Sequence, residues 1–242
     1  MSGETLFISD CHLDSTRPEI TQALAGFLRE RATDASALYI LGDLFEAWLG
    51  DDDDAEEHGA VIDALSELSK GCDLSFMAGN RDFLLGEDFA SRVGLTRLTE
   101  PHCIKLGDVR VALVHGDSLC TDDHDYQAFR SMVRRSEWQD EFLGKPLTER
   151  REIAAQLRRN SVAAMSMKAS DIMDVNESTV AELFRQTACD VILHGHTHRP
   201  AIHEYEAGRQ RIVLGDWIHE PSYVSWTRAD GFRLVDPRVN DA

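Results

Sequence analysis

The chain has 242 residues and a net charge of −18, with the hydrophobic and charged content of an ordinary globular protein. Its acidity argues against non-specific nucleic-acid binding, because a phosphate backbone is bound by basic surfaces. An apolar run of about 18 residues is absent, which argues against a membrane-spanning helix, and residues 1–10 lack the basic start of a signal peptide. We therefore expect the protein to stay in the cytoplasm.

The predicted elements alternate between strands and helices. Apolar runs predict buried strands over residues 5–9, 37–41, 73–77, 109–114 and 190–193. Apolar stripes at helical spacing predict helices over residues 18–31 and 55–70, with an acidic run at residues 51–57 that we expect to be a solvated loop. From residue 201 onward apolar and polar residues alternate, which is typical of antiparallel strands. This order predicts an α/β fold.

Residues 122–187 interrupt this alternation. The segment has no strand pattern and its sequence predicts about three helices. Between Arg130 and Lys168 it carries nine Lys and Arg against five Asp and Glu, a basic excess inside an acidic protein. We interpret residues 122–187 as a helical insertion, acting as a lid or substrate platform, within a single domain of residues 1–242. A subdomain that serves only packing is the alternative.

Each of the five predicted strands ends in a cluster of Asp, Asn or His. Ligands of open α/β sheets bind beyond the carboxyl ends of the strands, so five such clusters predict one converging site. The candidate metal ligands in these clusters are Asp10, His12, Asp43, Asn80, His115, His196 and His198. Imidazole, carboxylate and amide oxygen together suit divalent Mn, Fe, Co or Zn.

The same residues predict the chemistry of the site. A carboxylate such as Asp43 can bridge two ions about 3.5–4 Å apart, and two such ions hold the attacking and leaving oxygens of an in-line displacement. Strands repeat every two residues, so we expect each Asp-x-His or His-x-His pair to project from one side of an extended backbone. Arg81 follows Asn80 directly, and its guanidinium can stabilise negative charge on a phosphate beside the ions.

The chain resembles the calcineurin-like metallophosphoesterase superfamily in five ordered motifs: Asp10-Cys11-His12, Gly42-Asp43, Gly79-Asn80-Arg81-Asp82, His115-Gly116-Asp117 and Gly195-His196-Thr197-His198. The resemblance implies a four-layer α/β/β/α sandwich of two mixed sheets. It also implies the ligand roles: Asp10, His12 and His198 for one ion, Asn80, His115 and His196 for the other, and Asp43 as the bridge. Asp43, Asn80 and Arg81 would then be the catalytic residues.

Longer runs are similar to one family of this superfamily, the UDP-2,3-diacylglucosamine diphosphatases of lipid A biosynthesis. These runs cover residues 41–48, 79–86, 115–123, 126–130, 172–176 and 194–200. The resemblance implies attack of water on the α-phosphorus of UDP-2,3-diacylglucosamine, giving UMP and 2,3-diacylglucosamine 1-phosphate, with two Mn²⁺ ions as cofactor. It also implies a peripheral protein on the cytoplasmic side of the inner membrane.

By position, the resemblance implies substrate contacts at Asn80, Arg81, Asp123, Ser161, Met165, Lys168 and His196. Met165 departs from the small polar residue that we expect there, and Asp216 departs from an expected small residue. Apolar stripes of the insertion, such as Tyr126 with Phe129, can line an acyl pocket, and the alternative is that they pack into the core. Arg130 and Arg134 would hold the diphosphate or anionic head groups.

Two other functions are compatible with the motifs. A broad-specificity phosphodiesterase or nucleotide pyrophosphatase would use the same two metals, and the basic insertion counts against it. A non-catalytic scaffold on the same fold should have lost ligands, whereas all seven positions carry good ligand types. The sequence does not define the oligomeric state, and a monomer is the starting expectation.

Overall fold

The computed structural model describes residues 3–53, 55–165, 172–218 and 220–240. The strands are β1 (Glu4–Ile8), β2 (Ala35–Ile40), β3 (Asp73–Met77), β4 (Leu95–Leu98), β5 (His102–Leu106), β6 (Val109–Leu113), β7 (Val191–His194), β8 (Ala201–Glu204), β9 (Gln210–Val213), β10 (Tyr223–Thr227) and β11 (Gly231–Val235). The helices are α1 (Pro18–Gly26), α2 (Gly59–Leu68), α3 (Glu87–Val93), α4 (His124–Val133), α5 (Ser136–Leu143), α6 (Leu147–Met165), α7 (Glu177–Thr187) and α8 (Pro237–Asn240). A π-helical turn (Phe27–Arg31) continues α1.

The strands form two mixed sheets. The first has the order β11-β10-β1-β2-β3-β4, in which β1 to β4 are parallel and β10 and β11 are antiparallel. The second has the order β5-β6-β7-β9-β8, in which β6, β7 and β9 are parallel and the two edge strands are antiparallel. The parallel strands of both sheets supply the carboxyl ends at which a site can form.

Three layers of apolar side chains separate four layers of secondary structure. Strands bury alternate residues on opposite faces: Leu6 and Ile8 of β1 belong to the core beneath α1 to α3, whereas Phe7 belongs to the core between the sheets. In β7, Leu193 faces the inter-sheet core and Ile192 packs towards α7. The predicted sandwich of two mixed sheets between helices is confirmed.

The predicted strands and first helix are confirmed to within two residues at most ends, and four labelled elements are additional, including α8 near the end of the described chain. Between the third and fourth predicted strands the chain forms α3, β4 and β5. The insertion contains α4 to α7, and its described part contains no strand. Among the described residues, no helix combines the length and apolar character needed to cross a bilayer.

The acidic run is exposed at Asp52, Glu56 and Glu57, as expected of a solvated loop, but two of its carboxylates also make structural contacts. Asp51 accepts hydrogen bonds from the backbone N–H groups of Gly86 and Phe89, at 2.9 and 2.8 Å, and so caps the start of α3. Asp52 pairs with Arg150 of α6, whose side chain is buried. The run therefore joins α3 to the helical insertion, because its carboxylates satisfy a helix N-terminus and a buried guanidinium.

Candidate metal centre

The five polar clusters converge from both sheets. Asp10, Asp43 and Asn80 follow β1, β2 and β3 of the first sheet, while His115 and His196 follow β6 and β7 of the second. Backbone hydrogen bonds continue the strand pairing into these loops, as between His12 N–H and the Asp43 carbonyl oxygen at 2.9 Å. The predicted metal ligands therefore meet at one edge of the sandwich.

The ligand pairs do not lie on extended backbone, and that expectation is wrong. β1 ends at Ile8 and β7 ends at His194, before the ligands begin. The ligands with a positive φ are Asp10, His12, Asp43, His196 and His198, at values between 48° and 66°. Left-handed backbone turns the chain sharply, which brings side chains from separate loops to one point. Asp and His tolerate this conformation better than most residues, and such strain clusters at functional sites.

Two glycines allow these loops to approach one another. A Cβ on Gly79 would lie 2.1 Å from Asp43 Oδ1, and a Cβ on Gly195 would lie 2.1 Å from Asp10 Oδ2. Both distances are shorter than any real contact of this kind, so a side chain at either position would push a carboxylate out of the centre.

The two central carboxylates each use one oxygen for the backbone and turn the other inward. Asp10 Oδ2 accepts from Ser9 Oγ and from the N–H of His196, at 2.5 and 2.9 Å. Its buried Oδ1 accepts from no backbone N–H of the described residues and faces His198 Nε2 instead. Asp43 Oδ1 accepts from the N–H of Arg81 at 2.8 Å, and Asp43 Oδ2 faces the histidines.

The inward atoms form two groups joined by Asp43. In the first, His198 Nε2 lies 3.3 Å from Asp10 Oδ1 and 3.2 Å from His12 Nε2. In the second, Asn80 Oδ1 lies 3.0 Å from His115 Nε2 and 2.9 Å from His196 Nδ1. Asp43 Oδ2 lies 3.8 Å from both His12 Nε2 and His115 Nε2, midway between the groups.

This donor set fits divalent cations. The donor atoms of Asp10, His12 and His198 all lie within 4.8 Å of one another, and so do those of Asp10, Asp43 and His115. Buried oxygen and imidazole lone pairs that face one another repel. A cation bound between them removes this repulsion, because each lone pair can then coordinate it. The Cys11 thiol faces the Ser9 carbonyl oxygen, at 3.8 Å, and burial raises its pKa, so it is not a thiolate donor.

The comparisons agree with this geometry. The family described as calcineurin-like phosphoesterase matches residues 4–200. The UDP-2,3-diacylglucosamine hydrolase of Cellvibrio japonicus (strain Ueda107) is 50% identical over 220 residues, covering 89% of this chain and 92% of that protein. The hydrolase of the same name from Stenotrophomonas maltophilia (strain K279a) is 51% identical over 229 residues, covering 90% and 92%. The chain belongs to the calcineurin-like phosphoesterase family.

A solved archaeal phosphodiesterase shares the fold at a TM-score of 0.50 and 13% identity, covering 96% of this chain and 98% of that one. Membership in the family and the two donor groups confirm the prediction of a metal-dependent phosphohydrolase. A histidine that binds a cation must be in its neutral form, so cation binding at this site depends on the protonation of its histidines.

The charges of the centre already favour cations. Burial lowers the pKa of His115, but Asp43, Asp117 and Asp10 outweigh it and raise that pKa to about 9. Burial is likewise outweighed at His198, where Asp10 and Asp216 raise the pKa to about 10. The carboxylates thus stabilise positive charge at the centre. A bound metal ion would supply this charge in place of the protons on the histidines.

His196 behaves differently from these two histidines. Burial, together with the neighbouring charge of His115, lowers the pKa of His196 to about 4. His194, which precedes it, is held by the Gly195 carbonyl oxygen and by Arg211, and burial lowers its pKa to about 3. His194 is therefore a neutral structural residue behind the centre.

Four residues behind the ligands were assigned no role in the sequence analysis. Glu46 Oε2 lies 2.9 Å from His12 Nδ1, and Asp216 Oδ2 lies 3.2 Å from His198 Nδ1. Asp82 is fully buried and accepts from the N–H groups of Gly79, Asp43 and Leu44, which fixes two ligand loops. Asp117 is fully buried beside His115 and pairs with Arg130 at 2.7 Å. The position of these carboxylates near the motifs could have indicated a supporting role. Their partners could not be predicted, because most of them lie far away in the sequence.

The predicted substrate contacts are placed unevenly. Arg81 lies beside the centre, and its buried Nε has no hydrogen-bond partner in the described part of the chain. Asp123 caps α4 by accepting from the N–H of Tyr126 at 3.1 Å. Ser161 lies on α6, half-buried. Lys168 lies outside the described residues, as does the side chain of Met165.

Arg130 of α4 and Arg134, which directly follows this helix, contact residues around the centre. Arg130 binds Asp117 and Glu100, at 2.7 and 2.9 Å, and Arg134 donates to the Gly79 carbonyl oxygen at 2.7 Å. Both guanidiniums contact the protein, and their binding of the diphosphate stays a prediction. Their i, i+4 spacing predicted that they share a side of the chain but not what that side contacts.

Proposed function

We propose that the chain hydrolyses UDP-2,3-diacylglucosamine at its diphosphate, releasing UMP and 2,3-diacylglucosamine 1-phosphate. The convergence of six donor residues from two sheets around a seventh, Asp43, is the observation that carries this proposal. The relatives that are about half identical over nine-tenths of the chain bear the name UDP-2,3-diacylglucosamine hydrolase. Their name is the basis for the substrate that we propose.

We propose that two Mn²⁺ ions occupy the centre. Asp10, His12 and His198 would hold one ion, and Asn80, His115 and His196 would hold the other, with Asp43 shared between them. When bound, such ions polarise the phosphorus and acidify the attacking water. The protein's own part is to fix the ligands, which it does through the backbone contacts of Asp10 and Asp43.

Arg81 would act on the phosphate directly. Its backbone N–H fixes Asp43 while its buried Nε is unpaired among the described residues, so a donor is available for an anionic oxygen. A guanidinium held in this way stabilises charge that develops on the α-phosphate as the bond to the leaving group breaks. Asn80 would orient the same phosphate through its amide group.

The helical insertion, residues 122–187, would cover the acyl chains as a lid within the single domain. Partly buried apolar side chains line the boundary between the insertion and the metal loops: Leu49, Phe83, Trp138 and Ile153. The ring of Trp138 lies 6.2 Å from the ring of Phe83, measured between centroids. Phe83 follows Arg81 by two residues. Apolar surface at this boundary suits a diacyl substrate, and we propose a peripheral location on the cytoplasmic side of the inner membrane.

A product assay tests the proposal. Metal-stripped protein and protein with Mn²⁺ restored are each given UDP-2,3-diacylglucosamine in mixed micelles, and UMP and the lipid phosphate are measured. Both products should appear only with metal. A parallel reaction with bis-p-nitrophenyl phosphate reports the generic diesterase activity.

The outcomes separate the alternatives. Turnover of the generic diester alone keeps the two-metal site and discards the lipid substrate in favour of a broad phosphodiesterase. Inactivity on both compounds with metal present favours a scaffold. Indifference of the lipid reaction to micelles argues against an acyl site beneath the insertion.

A further inference from the structure

One carboxylate, Glu46, contacts both the metal centre and the helical insertion. Its Oε2 lies 2.9 Å from His12 Nδ1, and its Oε1 lies 2.9 Å from Arg158 Nη1. Arg81 Nη1 is 3.7 Å from the same Oε1, and Arg17 Nη2 is 4.0 Å from Oε2. Glu46 is only 8% exposed, so these charges interact with little solvent between them.

The backbone fixes Glu46 beside His12. Leu13 and Phe45 form a parallel bridge beyond the ends of β1 and β2, and the N–H of Glu46 donates to the Leu13 carbonyl oxygen at 3.0 Å. This short extension carries the Glu46 carboxylate to the Nδ1 edge of the His12 ring, at 2.9 Å but without the angles of a hydrogen bond. A carboxylate at this distance favours a proton on Nδ1, and Nε2 then faces Asp10 and Asp43, 3.8 Å from each.

The other oxygen of Glu46 is held by α6. Arg158 lies on this helix about two turns beyond Arg150, which anchors the helix to Asp52 and to the Leu49 carbonyl oxygen. Arg158 also lies 3.7 Å from Asp14, two residues after His12. Helix α6 thus contacts the ligand loop through the Arg158–Glu46 ion pair. His12 lies between this ion pair and the proposed metal position.

We propose that Glu46 is a positioning residue that orients His12 for metal binding and links the ligand to the helical insertion through Arg158. Metal affinity and the docking of α6 are then coupled, and the coupling is reciprocal. A bound ion fixes His12, His12 fixes Glu46, and Glu46 holds Arg158. This inference rests on the proposed metal centre.

The test is a calorimetric titration of metal-stripped protein with Mn²⁺ alone. Glu46→Gln should weaken binding at one site by about 10- to 100-fold, the range for removing an outer partner of a ligand. Arg158→Gln should weaken it by about threefold, since its ion pair is partly exposed. Arg159→Gln is the matched control, because Arg159 lies on the same helix and pairs with Gln156.

The double variant distinguishes coupling from general damage. In the Glu46→Gln background, Arg158→Gln should have no further effect on Mn²⁺ affinity, because the arginine acts through the carboxylate. If Glu46→Gln does not fold, the comparison of Arg158→Gln with Arg159→Gln still decides the coupling.

Equal Mn²⁺ affinity in Arg158→Gln and Arg159→Gln would overturn the link to the insertion, and wild-type affinity in Glu46→Gln would overturn the positioning role. Failure of the wild-type protein to bind Mn²⁺ would instead contradict the proposed metal centre.

Discussion

The two halves of the metal centre differ in what lies behind their histidines. In the half around Asp10, each histidine presents Nε2 to the centre and has a carboxylate behind it, Glu46 for His12 and Asp216 for His198. In the half around Asn80, His115 Nδ1 faces the Leu41 carbonyl oxygen at 2.8 Å. His196 uses Nδ1 inward, and its ring stacks on Tyr126 with the centroids 5.9 Å apart.

This difference predicts that one half of the centre binds its metal ion more tightly and that the other half is held more rigidly. A carboxylate behind an imidazole raises its basicity and adds negative charge, so the Asp10 half should bind the first ion more tightly. In the Asn80 half a backbone carbonyl and an aromatic face contact the rings, and Asp117, the buried carboxylate beside His115, is paired with Arg130, so less net negative charge lies behind these histidines. These contacts belong to strand ends and to a buried network that moves little. The Asn80 half should therefore be the preformed and weaker site.

Loss of the shared ligand should have the largest effect, because it removes the connection between the halves. Asp43→Ala should lower kcat by more than about 10³-fold, which corresponds to several kcal/mol of metal-dependent stabilisation. His115→Ala should do the same from the weaker half. Steady-state turnover is measured with circular dichroism as the control for folding, and wild-type rates in either variant would contradict the assignment.

Arg81→Ala should have the next largest effect. Its guanidinium would stabilise charge on the phosphate, so the loss should fall on kcat, by about 10²- to 10³-fold, the scale for one charge-stabilising donor. Mn²⁺ binding should be nearly unchanged, because the backbone N–H that holds Asp43 remains. An effect on kcat below about threefold would remove Arg81 from catalysis.

Asp216→Asn tests the carboxylate-backed half. Asp216 contacts both His198 Nδ1 and Arg238 Nη1, at 3.2 and 3.3 Å, so it is fixed on both sides. We expect about tenfold weaker Mn²⁺ binding at the tighter site and no change at the other. Calorimetry resolves the two steps, and equal weakening of both would refute the asymmetry.

Protonation offers a test that needs no substitution. His115 and His198 have pKa values raised to about 9 and about 10, so both carry a proton at neutral pH until an ion replaces it. Apparent Mn²⁺ affinity at each half should rise with pH, by up to about tenfold per unit for one proton, until the pH passes these values. Titrations in buffers of different ionisation enthalpy count the protons, and zero release would contradict these charge states.

Much of the centre could be predicted because every candidate ligand lies within four residues of the end of a strand. The apolar runs of β1, β2, β3, β6 and β7 fix where strands end, and parallel strands end at the same edge. The ordered motifs therefore predicted which side chains meet. β4 and β5 were missed because they expose much of their length and carry no continuous apolar run.

The geometry behind the ligands could not be predicted. Left-handed backbone at Asp10 and His198 is imposed by contacts between loops rather than by local preference. The partners of Asp216 and Arg130 lie many residues away, and a side chain's neighbours across a fold leave no trace in local spacing. Asp216, which departs from the expected small residue, is explained only by its position behind His198.

Tyr126→Phe should have the smallest effect and tests whether the Asn80 half is held by shape. The substitution keeps the ring against His196 and removes only the hydroxyl that donates to Asp117 Oδ2 at 2.7 Å. Asp117 retains its contact with Arg130, so kcat and Mn²⁺ affinity should change by less than about twofold. The lost hydrogen bond to a buried carboxylate should still lower the free energy of unfolding by about 1.5–3 kcal/mol, measured by denaturant titration. A large loss of activity at unchanged stability would mean that the hydroxyl takes part in the reaction, and that this half depends on charge as much as the other.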